Sequence, residues 1–353
     1  MTRNEFELLY AVKKHGVQSH RRLRELAGVS TGFISQTLRG FEERGLVRDG
    51  AITELGLAAL APYQVDNAVI MAAGMSSRFV PISLEKPKGL LTVKNEVLIE
   101  RQIEQLQAAG VPEIYIITGY KAEQFEYLVP KYGVKLLHNP DHLTRNNNAS
   151  VWVAREVLGN SYLCSSDNYF AENPFRAEAD HAYYAAEYAE GRTAEWCMTE
   201  DEEGNISSVT IGGEKAWYML GHTFWSREFS ERFLSILAAE YDLPGTAGKL
   251  WESIFMAHLD VLKMKIEKYA PGVIYEFDTL DELREFDESY RTDTRSRLLK
   301  AAAAQLGVRE ADITHITSLK SRTAEAAGFA FDCGGGHYGW QYETGVLEEL
   351  PPV

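Results

Sequence analysis

A loop of small residues, followed by two basic side chains, is the part of the sequence best suited to chemistry. The loop runs from Ala72 through Gly74 to Arg78, and Lys88 follows ten residues after Arg78 in the segment KPK. Small residues let backbone N–H groups approach a polyphosphate closely. Arg78 adds a guanidinium fork for phosphate oxygens, and Lys88 adds a mobile ammonium. The combination therefore predicts a polyphosphate-binding site.

Several other chemistries are disfavoured by the composition and by missing motifs. The small-residue loop is neither a Walker A motif nor a GxGxxG fingerprint, which argues against an ATPase or a dehydrogenase. The three cysteines form no CxxC pair, so a disulfide framework or a structural zinc site is not expected. Each of the nine histidines is expected to be a surface or core residue rather than a metal ligand. We expect a cytoplasmic protein without a signal peptide or a membrane segment.

The elements that must position the loop alternate between strands and helices from residue 67 onward. NAVIMAAG, PEIYIITGY and VKLLHNP are typical of buried strands, and EVLIERQIEQLQAAG is typical of an amphipathic helix closed by Gly110. SYLCSSDNYF predicts a strand that ends near Asp167. This order predicts a doubly wound, mostly parallel α/β domain, whose ligands bind at the carboxyl ends of the strands.

The motif set resembles the nucleotidyltransferase superfamily that acts on sugar phosphates and choline phosphate. The resemblance rests on AAGxxSR…KPK, HNPDHLTRNNNASVWVA, SSDNYF, AEWCM and YEFDTLDEL, which occur in the expected order over residues 67–288. The NNxxS segment and the Glu-Trp pair are more similar to the choline-phosphate cytidylyltransferase branch than to the sugar branch. Two departures are Gly89, where a larger residue is usual, and Ser165-Ser166, where another acid often stands.

The resemblance implies a Mg²⁺-dependent reaction in which a phosphate oxygen of the acceptor attacks the α-phosphorus of CTP and pyrophosphate leaves. It implies that Arg78 holds the β- and γ-phosphates and that Lys88 holds the α-phosphate or the incoming phosphate. Asp167 and Asp278 match the two metal-binding aspartates, with Glu276 as a nearby substitute. The implied nucleotide-binding residues are Ala72, Ala73, Gly74, Met75, Ser76, Ser77, Arg78 and Lys88.

The acceptor is expected to carry an amine. The second half of the chain is rich in aromatic residues, which can form a cation–π cage around a quaternary ammonium, although most aromatic side chains belong to cores. Phosphocholine is the first expectation, 2-aminoethylphosphonate and phosphoethanolamine are close alternatives, and a sugar 1-phosphate is a weaker one. The product would serve to decorate cell-surface polymers. The implied acceptor-binding residues are Asn148, Ser150, Glu195, Trp196, Tyr218 and Trp251.

Residues 1–62 predict a winged helix-turn-helix domain. Helical segments end at Gly16 and Gly28, and Asp49-Gly50 predicts the hairpin that forms the wing. Residues 1–60 carry a net charge of +2, whereas the whole chain carries −15. Residues 20–55, with Ser35, Gln36 and Arg39 exposed, are therefore a candidate DNA-binding surface. The alternatives for this domain are dimerisation or docking, with a homodimer as one candidate assembly. For the whole chain, the alternative to an enzyme is a nucleotide- or ligand-sensing winged-helix transcriptional regulator.

Two further regions complete the predicted organisation. The nucleotidyltransferase domain is expected over residues 67–290, with an aromatic-rich insertion at about 173–270 that contains several short strands and covers the site. Residues 291–353 contain a helix and a hairpin-like segment that resemble the first strands of a choline-kinase-like lobe without its catalytic core. An unrelated helix and hairpin packed on the core is the alternative for this appendage.

Overall fold

The chain forms a helical N-terminal unit, a central α/β domain and a small C-terminal appendage. The computed structural model describes residues 1–319 and 327–351, so residues 320–326 and 352–353 of the predicted appendage lie outside the described residues. The predicted α/β class with a mostly parallel central sheet is confirmed. Within the described part of the chain, none of the helices is long and apolar enough to cross a bilayer.

The N-terminal unit contains the predicted helices and hairpin in the predicted order. Ser30 caps the third helix by accepting a hydrogen bond from the backbone N–H of Phe33. The helices enclose a small apolar core that includes Phe6, Ile34 and Phe41. The elements are α1 (Arg3–His15), α2 (His20–Ala27), α3 (Thr31–Glu43), β1 (Val47–Arg48), β2 (Ala51–Ile52) and α4 (Glu54–Leu60).

Helix α1 docks the N-terminal unit onto the central domain. The two carboxylate oxygens of Glu7 accept hydrogen bonds of 3.0 Å each from the guanidinium of Arg176, and Lys13 pairs with Glu178. The face of α3 that carries Ser35, Gln36 and Arg39 is exposed. The use of this face for DNA binding stays a prediction.

The central domain is built on a seven-stranded sheet in the order β12-β10-β11-β8-β3-β6-β7, in which β11 is antiparallel to both neighbours and the other adjacent pairs are parallel. The central strand β3 is almost entirely buried, as expected when helices cover both faces of a parallel sheet. The elements are β3 (Asn67–Ala72), α5 (Ile82–Glu85), β4 (Thr92–Val93), β5 (Glu96–Val97), α6 (Leu98–Ala109), β6 (Ile114–Thr118), α7 (Leu128–Tyr132), β7 (Lys135–His138), α8 (Asn148–Val153), β8 (Ser161–Ser165), β9 (Tyr169–Phe170), β10 (Tyr183–Glu200), β11 (Ile206–Trp225), α9 (Arg227–Glu240), α10 (Trp251–Ala257), β12 (Lys265–Lys268), β13 (Ile274–Tyr275), α11 (Leu280–Phe286) and α12 (Ser289–Thr292).

The predicted insertion does not consist of several short strands. Its main elements are the two long strands β10 and β11, which pair with each other and join the central sheet between β8 and β12. The pairing contains repeated register shifts, and glycines such as Gly191, Gly212 and Gly221 lie along or between the shifted segments. Such β-bulges interrupt the sequence pattern without ending a strand. The expectation of short strands was therefore wrong.

The described residues of the C-terminal appendage form an α-helix and a four-stranded antiparallel sheet, and these contain the predicted helix and hairpin. It does not stand apart from the central domain. Leu299, Phe329 and Trp340 share one apolar core with Phe79 and Leu91, which flank Lys88 in the sequence. The elements are α13 (Arg297–Leu306), β14 (Thr314–Leu319), β15 (Gly328–Cys333), β16 (Gly336–Gln341) and β17 (Leu347–Glu349).

Candidate active site

The carboxyl ends of two neighbouring strands bring the small-residue loop and Asp167 together. Strands β3 and β8 are parallel, with Met71 opposite Ser165. The loop that begins at Ala72 and the segment that carries Asp167 therefore leave the sheet at the same edge. This is the position at which doubly wound sheets bind ligands.

Four charged side chains that are far apart in the sequence meet at this edge. The Lys88 Nζ atom lies 2.8 Å from an Asp167 carboxylate oxygen and 3.9 Å from an Asp278 carboxylate oxygen. An Arg78 guanidinium nitrogen lies 2.8 Å from the other oxygen of Asp278. Two cations and two acids thus form one cluster, as the predicted site requires.

The cluster is buried on one side and open on the other. Lys88 is 6% exposed, whereas the Arg78 side chain is 75% exposed. Burial raises the pKa of Asp167, but the Lys88 ammonium and the hydrogen bond from Ser165 outweigh it, and the net pKa is lowered. Burial lowers the pKa of Lys88, but Asp167 outweighs it, and the net pKa is raised. Both groups therefore carry their charges at neutral pH.

A cavity of about 240 Å³ lies between the small-residue loop and the segment after β7. From the predicted nucleotide-binding set, Ala72, Ala73, Gly74, Ser76 and Lys88 line this cavity. Met75 and Ser77 are described but lie outside the lining, and Arg78 reaches the cluster from the rim. The remaining lining residues are Met71, Pro87, Gly89, Asn139, His142, Arg145, Asn146, Asn147, Ser150, Ser165, Ser166 and Asp167.

The two departures from the usual family pattern lie against each other in this cavity. A Cβ atom at Gly89 would lie 2.9 Å from both the Cβ and Oγ atoms of Ser166 and 3.0 Å from its carbonyl oxygen. Such contacts are too close for a well-packed wall. The absence of a side chain at position 89 therefore lets the loop carrying Lys88 pack directly against the strand end that carries Asp167.

A second cavity, of about 560 Å³, lies on the other side of the charged cluster. Glu195 and Tyr218, both from the predicted acceptor-binding set, line it, and Asp278 does so as well. Its other lining residues include Glu187, Tyr188, Tyr275, Glu276 and Glu282. Because Asp278 also approaches Lys88, which lines the first cavity, the charged cluster forms the boundary between the two cavities.

The acids of the second cavity are held close together. Burial and the neighbouring Asp167 raise the pKa of Glu276, and burial and Asp278 raise the pKa of Glu195. Burial and Glu187 raise the pKa of Tyr218 to about 12. Crowded carboxylates that repel one another favour the binding of a cation.

Four of the predicted acceptor-binding residues do not line the second cavity. Trp251 is 1% exposed and packs against Tyr184 and Trp225 in the core, and its role at the acceptor stays a prediction. Asn148 is fully buried and donates hydrogen bonds to the backbone carbonyls of Thr246, Ala247 and Lys249. Trp196 packs against the core on β10, and Ser150 lines the first cavity.

Arg145 is a candidate functional residue that the sequence analysis did not single out. It lines the first cavity, its guanidinium stacks on the Tyr241 ring at 3.7 Å, and it donates a 2.7 Å hydrogen bond to the Tyr241 carbonyl. The stacking holds a second cation in the cavity that Lys88 also lines. Its position in the segment HLTRNNNAS, which follows a predicted strand, could have indicated that Arg145 lies at the site.

Asn147 links the first cavity to a buried acid. Its Oδ1 atom accepts a 2.7 Å hydrogen bond from the Trp251 backbone N–H, and its Nδ2 atom donates a 3.0 Å hydrogen bond to Glu252. Burial raises the pKa of Glu252 to about 7, despite the hydrogen bonds from Asn147 and Tyr184. The folded protein therefore holds a proton on this carboxyl more tightly than the unfolded chain does.

We expect Glu252 to make stability fall as the pH rises. Between the unfolded value of 4.5 and about 7, the folded state binds more protons than the unfolded state, so its free energy of unfolding decreases over this window. Glu252→Gln keeps an oxygen acceptor for Asn147 and should flatten this part of the dependence. Thermal unfolding at several pH values measures the effect, with the exposed Glu231→Gln as the control. An unchanged slope in Glu252→Gln would contradict the expectation.

Comparisons with known proteins define the class. Residues 68–170 match the model of the MobA-like NTP transferase domain. The chain is 31% identical over 227 residues to choline-phosphate cytidylyltransferase of Streptococcus pneumoniae, covering 64% of this chain and 99% of the relative. It is 31% identical over 228 residues to 2-aminoethylphosphonate cytidylyltransferase of Lancefieldella rimae, covering 64% of this chain and 93% of the relative.

A solved structure supports the same class. The structure of CTP:phosphocholine cytidylyltransferase from Streptococcus pneumoniae superimposes with a TM-score of 0.61 at 32% identity, covering 64% of this chain and 99% of that one. The fold and the site therefore define a nucleotidyltransferase, and the protein is an enzyme of that class. Within the class, the chain belongs to the choline-phosphate cytidylyltransferase family.

Proposed function

We propose that this protein is a Mg²⁺-dependent cytidylyltransferase that condenses CTP with phosphocholine to form CDP-choline and pyrophosphate. One observation carries the proposal. Lys88, Asp167 and Asp278 stand where a cavity with basic side chains meets a cavity with acidic and aromatic ones. A triphosphate on one side and an ammonium-bearing phosphate on the other would meet at this boundary.

The first cavity is proposed to hold CTP. Backbone groups of Ala72–Gly74 would contact the base and the ribose, as in the resembling family. Lys88 and Arg145 would attract the phosphates from within the cavity, and Arg78 would reach the β- and γ-phosphates from the rim. Preorganised cations that lose little freedom on binding are an effective way to stabilise phosphate charge.

Members of this family generally use a divalent metal, and Asp167 and Asp278 are proposed to hold Mg²⁺. Both carboxylates lie within 4 Å of one cation, the Lys88 ammonium, so the two acids are close enough to share one cation. In the described residues no group of three or more His, Cys, Asp or Glu side chains could hold a metal ion. One or two carboxylates completed by substrate phosphates and waters are a usual Mg²⁺ site.

The second cavity is proposed to hold the amine of the acceptor. Glu187, Glu195 and Glu276 supply negative charge, and Tyr188 and Tyr218 supply aromatic faces. Carboxylates compensate the charge of any ammonium, whereas aromatic faces favour a methylated one through cation–π attraction. This combination is the reason for placing phosphocholine first.

The proposed step is an in-line displacement at the α-phosphorus of CTP. An oxygen of the acceptor phosphate forms the new P–O bond, the bond to the β-phosphate bridging oxygen breaks, and pyrophosphate leaves with the electron pair. Lys88 would reduce the repulsion between the two phosphates and neutralise the charge that develops at the reacting centre. Bound Mg²⁺ supplies additional charge neutralisation for the leaving pyrophosphate.

Phosphoethanolamine and 2-aminoethylphosphonate are the alternative acceptors. A primary ammonium can donate hydrogen bonds to Glu187, Glu195 or Glu276, which a trimethylated one cannot. The similarity to a 2-aminoethylphosphonate enzyme supports this alternative. The choice depends on how much the aromatic faces contribute compared with direct hydrogen bonds.

A substrate panel tests the proposal. Pyrophosphate release is measured with CTP, Mg²⁺ and each of the three acceptors, and again after chelation of the metal. We expect the highest kcat/KM with phosphocholine and no turnover without a divalent metal. A higher kcat/KM with a primary amine would replace the proposed acceptor. Absence of turnover with all three would contradict the phospho-amine function itself.

A further inference from the structure

The segment that carries Arg78 and Lys88 is tied to the C-terminal appendage by one carboxylate. Glu85 is the last residue of α5 and stands three residues before Lys88. One of its carboxylate oxygens accepts hydrogen bonds from the Ser296 hydroxyl at 2.6 Å and from the Leu298 N–H at 3.2 Å. The other accepts from the N–H of Arg297 at 3.1 Å and from its guanidinium at 3.2 Å.

These hydrogen bonds join a loop of the active site to the first turn of α13. The first N–H groups of a helix lack partners inside the helix, so an acceptor from elsewhere in the chain stabilises them. Ser296 is fully buried and also caps α13 through the Leu299 N–H at 3.1 Å. Glu85 therefore takes part in the cap of a helix that lies more than two hundred residues away in the sequence.

Further contacts hold the part of this segment that follows Lys88 in the sequence. The Tyr290 hydroxyl donates a 2.9 Å hydrogen bond to the Thr92 carbonyl, and an Asp287 carboxylate oxygen accepts a 2.8 Å hydrogen bond from the Lys94 N–H. The shared apolar core described above lies beneath these contacts. The segment is thus fixed on both sides of Lys88 by residues at or after α11.

We infer that Glu85 is a positioning residue for the nucleotide site. Through its hydrogen bonds to α13, the C-terminal appendage holds the segment that carries Arg78 and Lys88 in place for the triphosphate. The inference deepens the proposed function and rests on it for its kinetic readout. The resemblance of the appendage to a kinase lobe assigns it no activity. Its proposed role is to support the segment that binds CTP.

The test compares Glu85→Ala with Lys300→Ala. Lys300 lies on the same helix α13 and pairs with Asp293 at 2.7 Å, so its replacement perturbs the helix without removing the contact to Glu85. In Glu85→Ala we expect kcat/KM for CTP to fall about 10- to 100-fold, since small displacements of positioning groups have effects of this size. KM for the phospho-amine should change less than KM for CTP, because the residues proposed to hold the amine lie outside this segment. Lys300→Ala should leave both parameters at the wild-type values.

Two additional variants separate positioning from folding. Ser296→Ala removes a partner of Glu85 while keeping the carboxylate, and it serves as the test if Glu85→Ala fails to fold. Glu85→Gln keeps one oxygen acceptor and should lie between Glu85→Ala and the wild type. If Glu85 and Ser296 act as a unit, the double alanine variant should lose no more than Glu85→Ala alone.

Hydrogen exchange supplies a readout that does not depend on turnover. We expect faster exchange of the backbone amides of residues 86–95 in Glu85→Ala but not in Lys300→Ala. Unchanged exchange together with wild-type kcat/KM for CTP would overturn the inference, as would equal losses in both variants. If the wild type shows no cytidylyl transfer, the proposed function fails, and the exchange comparison still decides whether Glu85 holds the segment.

Discussion

Lys88→Ala is expected to lower kcat by about 10²- to 10³-fold, the effect of removing one preorganised group that stabilises developing charge. Lys88 is nearly buried and lies 2.8 Å from Asp167. Its ammonium is therefore held at the boundary of the two cavities, where the phosphates of the two proposed substrates would meet. Steady-state pyrophosphate release with saturating CTP and phosphocholine measures the effect on kcat.

The same substitution should also affect folding, and this effect must be separated from catalysis. Without Lys88, the buried carboxylate of Asp167 loses its partner, and an unpaired buried charge is strongly destabilising. We expect a lower melting temperature, so the assay is run well below it. Lys86→Ala is the matched control, because Lys86 is exposed on the same segment. Turnover close to that of the wild type in folded Lys88→Ala would contradict the assigned role.

The central fold and three of the four residues in the charged cluster could be predicted from the sequence because they follow from local patterns. The alternation of buried strands and helices predicts a parallel sheet, and a parallel sheet places the ends of its strands at one edge. The loop after β3 and Asp167 after β8 therefore had to lie close together. The position of Asp278 came only from the family resemblance, since no periodicity indicates where a late segment returns to the sheet.

The acceptor-binding residues were harder to predict. The aromatic composition of a segment does not show whether a given ring lines a cation-binding cage or packs in the hydrophobic core. Trp251 and Tyr218 are both aromatic residues of the second half, but the first packs in the core and the second lines a cavity. The difference depends on the fold of β10 and β11, whose bulges hide the strand pattern. Glutamates that pair across long distances, such as Glu85 with α13, carry no local signal either.

The C-terminal appendage changes how the site itself is understood. The phosphate-binding loop of a doubly wound domain is normally positioned by the strand before it and the helix after it. Here the segment between Arg78 and Lys88 contains only the short helix α5, and α13 and the shared core hold it from outside. An appendage that forms part of this support cannot be replaced freely, whatever its evolutionary origin.

Asp167→Asn is expected to reduce turnover at least as strongly as Lys88→Ala, because it removes the negative charge that pairs with Lys88 and that is proposed to bind Mg²⁺. The amide keeps the shape of the carboxylate and can still accept the 2.5 Å hydrogen bond from the Ser165 hydroxyl, so the loop should stay folded. However, a neutral amide is a poor ligand for Mg²⁺ and no longer fixes the Lys88 ammonium.

The metal dependence of Asp167→Asn then identifies the cause of its defect. If Asp167 binds Mg²⁺, the concentration of Mg²⁺ needed for half-maximal turnover should rise well above the wild-type value. Asp278→Asn should raise it less, because Asp278 is about one-third exposed and its partner Arg78 faces solvent. The exposed Asp260→Asn is the control for the substitution itself. An unchanged Mg²⁺ requirement in Asp167→Asn would mean that this carboxylate serves only to orient Lys88, and that the metal, if bound, is held by Asp278 and Glu276.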